Sequence, residues 1–223
     1  MLTRPLALAV AAGAAYGVSR WPAMTHWGAT PDETEEPLPG DEIVGEARYR
    51  TTHAVTIDAP VERVWPWLVQ LGQGRGGMYS YDWLENLVGL HMHSADRIHP
   101  ELQDLAVGDV VRLVPDGTDP PLRFVVARLE APHVLVLGPS GSRADALAGN
   151  LPYPCWTFRL RPTSWGGTRL VVRFQSDFRP SPAGWLMNKY ALTPVHFVME
   201  RKMLLGIKKR AERLVPAPEL LPV

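Results

Sequence analysis

An α+β domain, with an antiparallel sheet and a long C-terminal helix, is the fold class the sequence predicts, and three observations predict it. Short apolar runs recur at Thr51 and again between Val107 and Phe178, punctuated by turn residues such as Asp116–Gly117, Pro132 and Gly166–Gly167. Two short stretches of helical spacing separate the first run from the others. The last apolar pattern, Val195, Val198, Met199, Met203, Ile207, Ala211 and Leu214, lies on one broad helical face.

Taken in order, the chain opens with an apolar run from Leu6 to Val18 that follows Arg4. As a helix it would reach about 20 Å at roughly 1.5 Å per residue, short of a hydrocarbon core of about 30 Å. Small residues such as Ala12 and Ala14 fit a signal peptide, and Arg20, Trp21 and Trp27 fit the anchors of an uncleaved, tilted helix. Residues 1–26 are therefore read as a hydrophobic leader, anchor or signal peptide. Residues 27–50 read as an irregular, solvated arm, broken by Pro31, Pro37, Pro39 and Gly40 and carrying Asp32, Glu33, Glu35, Glu36, Asp41, Glu42 and Glu46.

The domain proper spans 51–214, with a Pro-rich tail over 215–223. Its first strand is Thr51–Ile57, with His53, Val55 and Ile57 on one face. Pro60 suits the first position of a helix that carries Val61, Val64, Trp65, Leu68 and Leu71 and ends in the Gly72–Gly77 run, read as a flexible hinge. Ser80 is placed to cap a second short helix carrying Trp83, Leu84 and Leu87, ended by Gly89. Strands follow at Val107–Val114, Leu122–Leu129 and Val134–Leu137. Ser140–Pro154 reads as a long polar loop, and Trp156–Arg161 with Thr168–Phe178 as a hairpin. Arg159, Arg161, Arg169 and Arg173 then fall on the outer face of that hairpin. Ser181–Pro182 and Thr193–Pro194 both read as helix starts. Gly206, inside the last helix, costs about 1 kcal/mol relative to alanine, which a close approach by a neighbouring element would explain.

Composition narrows the functional classes. With 223 residues and 46% hydrophobic content the chain holds one ordinary domain plus extensions. Zero formal net charge gives no global electrostatic case for nucleic acid. Cys155 is the one cysteine, so an intrachain disulfide, a CxxC pair and a cysteine-rich zinc site are all excluded. The basic residues Arg201, Lys202, Lys208, Lys209, Arg210 and Arg213 suit either a solvated helix face or an anionic membrane surface.

The element order, together with IDAPVERVWPWLVQLGQGRGGMYSYDWLEN, MHSADRIHPE, VGD, TRLVVRF and VMERKMLLGIKKRAE, resembles a bacterial branch of the SRPBCC superfamily. That superfamily includes START-type lipid-transfer domains, pollen-allergen-like proteins and polyketide cyclases. The resemblance covers about Trp27 to Leu214. It implies a helix-grip fold, in which a curved antiparallel sheet wraps a long C-terminal helix, with a cavity between them. It marks His93, Asp96 and Arg97 as the branch's histidine–aspartate–arginine motif. His91 departs from the branch, where an acidic residue is common at that position.

The segment from Gly76 to Glu101 crowds aromatic, histidine and acidic side chains that are costly to bury without partners, so it is read as a cavity wall. His91, His93, Asp96, His99 and Glu101 match no defined metal-ligand spacing, and no metal or other cofactor is expected. His93 oriented by Asp96, with Tyr79 polarising a carbonyl, are the candidate catalytic groups; no GxSxG or cysteine–histidine nucleophile accompanies them. The ligand-binding candidates are Trp67, Tyr79, Tyr81, Trp83, Asn86, His93, Asp96, Arg97, Trp156, Met199 and Met203, which pair apolar surface with polar handles. The expected function is binding of a small hydrophobic molecule or lipid in the cavity, at or across a membrane if the leader is retained. The alternatives are a cyclase- or dehydratase-like enzyme using His93 and Asp96, and a membrane-tethered interaction domain. No oligomeric state follows from the sequence.

Overall fold

Six strands form one antiparallel sheet in the order β1-β6-β5-β4-β3-β2 in the computed structural model, which describes residues 23–87, 89–118, 121–149 and 151–213. Most of the leader, through position 22, and the tail from Leu214 lie outside the described residues. The strands are β1 (Tyr49–Ile57), β2 (Val110–Arg112), β3 (Arg123–Glu130), β4 (Val134–Pro139), β5 (Tyr153–Pro162) and β6 (Thr168–Asp177). After β1 the chain leaves the sheet through α3 (Val61–Val69) and α4 (Asp82–Leu87) and re-enters at the far edge as β2. It then returns strand by strand until β6 pairs with β1, from Tyr49↔Ser176 to Ile57↔Thr168. A register shift between Val126 and Arg128 marks a bulge in β3, a feature that bends a strand and adds twist.

The concave face holds the core. Val55, Ile57, Phe158, Leu160, Leu170 and Val172 are buried there against Val64 and Leu68 of α3 and Met203, Leu204 and Ile207 of α7 (Leu192–Ala211). Each such side chain contributes roughly 1.5–3 kcal/mol by leaving water. A curved antiparallel sheet gripping a long terminal helix is the helix-grip arrangement that the sequence resemblance implies.

The convex face is covered by the arm, which is partly helical and only partly solvated. It forms α1 (Pro31–Glu35), opened by a capping box in which Thr30 and Glu33 each accept from the other's backbone N–H, and α2 (Asp41–Val44). Its acidic residues meet the outward arginines of the hairpin. Arg169 grips both carboxylate oxygens of Glu33 at 2.7 Å, and Arg161 pairs with Glu36. Arg173 is 1% exposed and donates to the carbonyls of Glu33, Thr34 and Glu36, to Asp41 and to Thr52. Burial pushes the Glu33 carboxyl up, but Arg169 outweighs it and holds the group below its ordinary value. Gly40, at φ +93°, allows the close approach: a β-carbon there would meet Val136 at 2.6 Å and Thr157 at 2.9 Å. Cys155 is sealed beneath the arm, and burial pushes its thiol up to about 12. Two charge runs that look like separate solvated faces thus cancel each other in a partly dry layer.

Three local expectations change. Ser140–Pro154 contains a short helix, α5 (Arg143–Ala148), capped by the Ser142 hydroxyl, which accepts from the Asp145 N–H. Thr193–Pro194 does not start the last helix. The helical run begins at α6 (Pro182–Trp185), capped by Ser181, widens to a π-helical turn over Leu186–Ala191 and continues as α7. Pro194 has no N–H to return to the preceding turn, so one bond of the ladder is missing where the π-helical turn passes into α7. The Gly72–Gly77 run is a tied knot: Gly72 and Gly77 bridge each other, Gly76 N–H donates to Gln70 O, and Arg75 binds the carbonyls of Val69 and Leu102.

Candidate functional site

Between the sheet and α7 lies a cavity of about 440 Å³. Its apolar wall includes Met78, Met92, Leu113, Phe124, Trp156, Phe174, Met199 and Met203; its polar groups are Ser80, Glu85, His196 and Glu200. Trp156, Met199 and Met203 were expected here from sequence.

The segment after the glycine knot supplies one wall, held by braces. Asp82 accepts from the Ser94 N–H at 2.7 Å and from the Ser94 hydroxyl at 2.5 Å. Asn86 brackets Met92, donating to its carbonyl at 2.9 Å and accepting from its N–H at 2.5 Å. Ser80 does not cap α4; its hydroxyl donates to Met199 O at 3.0 Å and ties this wall to α7. These bonds turn Met92 inward and fix the orientation of α4. That helix shows the opposite face to the one its apolar residues predict: Trp83 and Leu87 are 68% and 76% exposed, whereas Glu85 is 7% exposed.

Glu85 Oε2 is buried with no hydrogen-bond partner among the described residues. Burial and the nearby negative charge of Asp82 push its carboxyl up to about 7. Glu200 is its opposite. The Trp156 indole N–H donates to Glu200 Oε1 at 2.7 Å, His53 Nδ1 is hydrogen-bonded to Oε2, and His196 Nε2 lies 3.5 Å from Oε2. Burial raises the Glu200 carboxyl, but His196 and His53 outweigh it and hold it far below its ordinary value. His53, fully buried, also meets the Met24 carbonyl through Nε2 at 2.8 Å. Both ring nitrogens therefore face acceptors, which only the imidazolium satisfies. Burial pulls the His53 value down, and Glu200 with Met24 brings it above normal. Sequence reading takes His53 as a strand residue, has Glu85 only among the acidic residues of the Gly76–Glu101 wall, and does not single out Glu200. The available signal for Glu200 was its place on the helical stripe shared with Met203, Leu204, Ile207 and Ala211.

The other candidates lie elsewhere. Trp67 and Tyr79 are buried in the core with their rings edge to face at 5.8 Å, and the Arg210 guanidinium sits 4.8 Å over the Tyr79 ring. Burial pushes the Tyr79 phenol well up. Tyr81 packs against Trp83 and carries Lys202 over its ring. Asn86 is a brace. His93 and Asp96 are exposed, and Asp96 lies with Arg97, Trp67, Arg63, Arg210 and Arg213 along a separate outer groove of about 460 Å³. His93, Asp96 and Tyr79 therefore do not converge on the cavity, because the Ala95 and Gly77 backbones pack inward and turn the motif outward: a β-carbon on Gly77 would meet His93 O at 2.5 Å. His91, at φ +47°, is exposed as well. Among the described residues no group of three histidine, cysteine or acidic side chains is placed to hold a metal ion.

Arg201, Lys202, Lys208 and Arg210 of α7 are engaged within the molecule, whereas Lys209 is exposed. Arg201 covers Trp27, Arg210 donates to Ala95 O at 2.7 Å, and Lys208 binds Thr56 O and Glu212. No helix among the described residues is long and apolar enough to cross a membrane.

No family model and no curated protein matches this chain. Solved structures with a similar chain path include truncated norcoclaurine synthase from Thalictrum flavum (14% identity, TM-score 0.45, covering 75% of this chain and 95% of that one). A Polyketide_cyc-like protein from Corynebacterium glutamicum (16%, 0.35, 72% and 89%) and a protein from Mesorhizobium loti (19%, 0.42, 73% and 96%) are similar too. By its own strand order and its terminal helix, the chain has the helix-grip α+β fold.

Proposed function

We propose that this protein binds a small, mainly apolar molecule in the cavity between the sheet and α7, and that its leader holds it at a membrane. The observation that carries the reading is the cavity itself: about 440 Å³, within the range of ligand pockets, walled by aromatic and methionine side chains around a few buried polar groups. The methionines Met78, Met92, Met199 and Met203 give the wall an adaptable surface. Support for the membrane part is the apolar run Leu6–Val18 and the exposed side chains Leu186, Met187, Tyr190, Leu192 and Val195 leading into α7. A carrier role asks no catalytic group of His93 and Asp96, which lie outside the cavity.

Native mass spectrometry of the full chain tests the binding. One equivalent of an apolar molecule is expected on the protein, displaced or excluded in Met203→Trp, which fills the cavity. Failure of 4-phenylbutanol and similar apolar probes to bind the wild type would overturn it. Flotation with phosphatidylcholine vesicles tests the leader: the full chain should float, and a chain starting at Ala23 should not.

A further inference from the structure

We propose that the cavity selects an amphipathic molecule carrying a protonated amine, and that Glu85 is the group that receives it. This rests on the reading of the cavity as a ligand site and adds the chemical class of the ligand. Two glutamates and one histidine line the cavity, and among the described residues no lysine or arginine does. On α7, beside the lining residues Glu200 and Met203, Lys202 sits over Tyr81 and Arg201 over Trp27. A carboxylate-headed ligand such as a fatty acid would enter an apolar space beside the unpaired Glu85, an arrangement that costs several kcal/mol per ion.

The two glutamates are not equivalent. Glu200 has a partner on each oxygen, Trp156 on Oε1 and His53 on Oε2, with His196 Nε2 3.5 Å from Oε2. Its charge is offset by the buried His53. Glu85 is more than nine-tenths buried, and its Oε2 has no donor among the described residues. Asp82, on the same helix, is occupied by Ser94 and adds only negative potential. From α7 the facing titratable groups are His196 and Glu200; among the described residues no ionisable side chain of the strands lines the cavity. An ammonium N–H directed at the Glu85 carboxylate makes a charge-assisted hydrogen bond, stronger than a neutral hydroxyl makes. The apolar part of the same molecule then covers Trp156, Phe174 and the methionines. The rise of the Glu85 carboxyl to about 7 agrees with this: it is the behaviour of a carboxylate whose partner is missing.

Three probes with one skeleton separate the possibilities by calorimetry on the full chain at pH 8: 4-phenylbutylamine, 4-phenylbutanol and 4-phenylbutyrate. The amine is expected to bind at least about tenfold more tightly than the alcohol, and the acid more weakly than both. Glu85→Gln should bring the amine-to-alcohol ratio to about one, with alcohol binding reporting that the variant is folded. If the alcohol binds and the amine binds no better, or if Glu85→Gln keeps the amine preference, the inference fails while the cavity reading stands. If none of the three binds, the cavity reading fails and this inference with it.

Discussion

The carbonyl oxygen of Tyr79 lies 2.4 Å from the point where a β-carbon on Gly206 would stand. Tyr79, at φ +55°, brings its backbone directly against α7, and only a residue without a side chain lets the helix pass. Alanine at 206 would gain about 1 kcal/mol of helix propensity. The clash is with backbone and cannot be relieved by a rotamer change. Gly206→Ala is therefore expected to destabilise by about 2 kcal/mol or more in urea denaturation, and a gain in stability would show that the approach is looser than this.

The His53–Glu200 pair sets a pH window. His53 has a raised folded value, so its contribution is complete below its unfolded value of 6.5 and is lost as pH rises through the folded one. Glu200 has a lowered folded value, so its contribution is complete above 4.5 and is lost as pH falls through the folded one. NMR of the His53 ring should find it doubly protonated at pH 7. In Glu200→Gln the ring should titrate below 6.5, since burial then acts without the carboxylate. His53→Ala, which leaves Glu200 short of a counter-charge, is expected to cost about 3–5 kcal/mol.

Arg173 and Arg159 both point outward from the hairpin, yet they should behave differently. Arg173→Leu strands the carbonyls of Glu33, Thr34 and Glu36 and should cost about 3 kcal/mol. Arg159 reaches Glu36 only at 4.0 Å and is partly exposed, so Arg159→Ala should change stability by less than about 1 kcal/mol. Limited proteolysis should cut between Pro31 and Gly45 sooner in Arg173→Leu than in wild type.

Glu85 has a raised folded value, so its ionisation costs stability progressively as pH rises from 4.5 to about 7. Glu85→Gln removes that cost. In the ligand-free protein it should be more stable than wild type at pH 8, by about 1–3 kcal/mol, and nearly equal to it at pH 5. Equal stability of the two at pH 8 would mean that water or another group already pairs with the carboxylate.

The strands and the last helix were legible because their side-chain periods follow directly from burial on one face. Trp156, Met199 and Met203 follow from the same pattern, and all three line the cavity. The arm was not legible. Its acidic residues look solvated until the arginines more than a hundred positions later are placed opposite them, as with Glu33 and Arg169. Glu85 was hidden for a related reason. In a one-turn helix beside Trp83 and Leu87, local hydrophobicity points the wrong way, and only the Asp82–Ser94 and Asn86–Met92 bonds decide which face turns inward.

Met24 belongs, by hydropathy, with the leader, yet its carbonyl holds the ring of His53, which in turn holds Glu200 and the cavity wall at Trp156. Processing that removed the chain through position 26 would take one acceptor from a buried imidazolium and leave its Nε2–H facing no protein group. The presence of Met24 and the protonation of His53 are thus thermodynamically linked: a change in the one shifts the other.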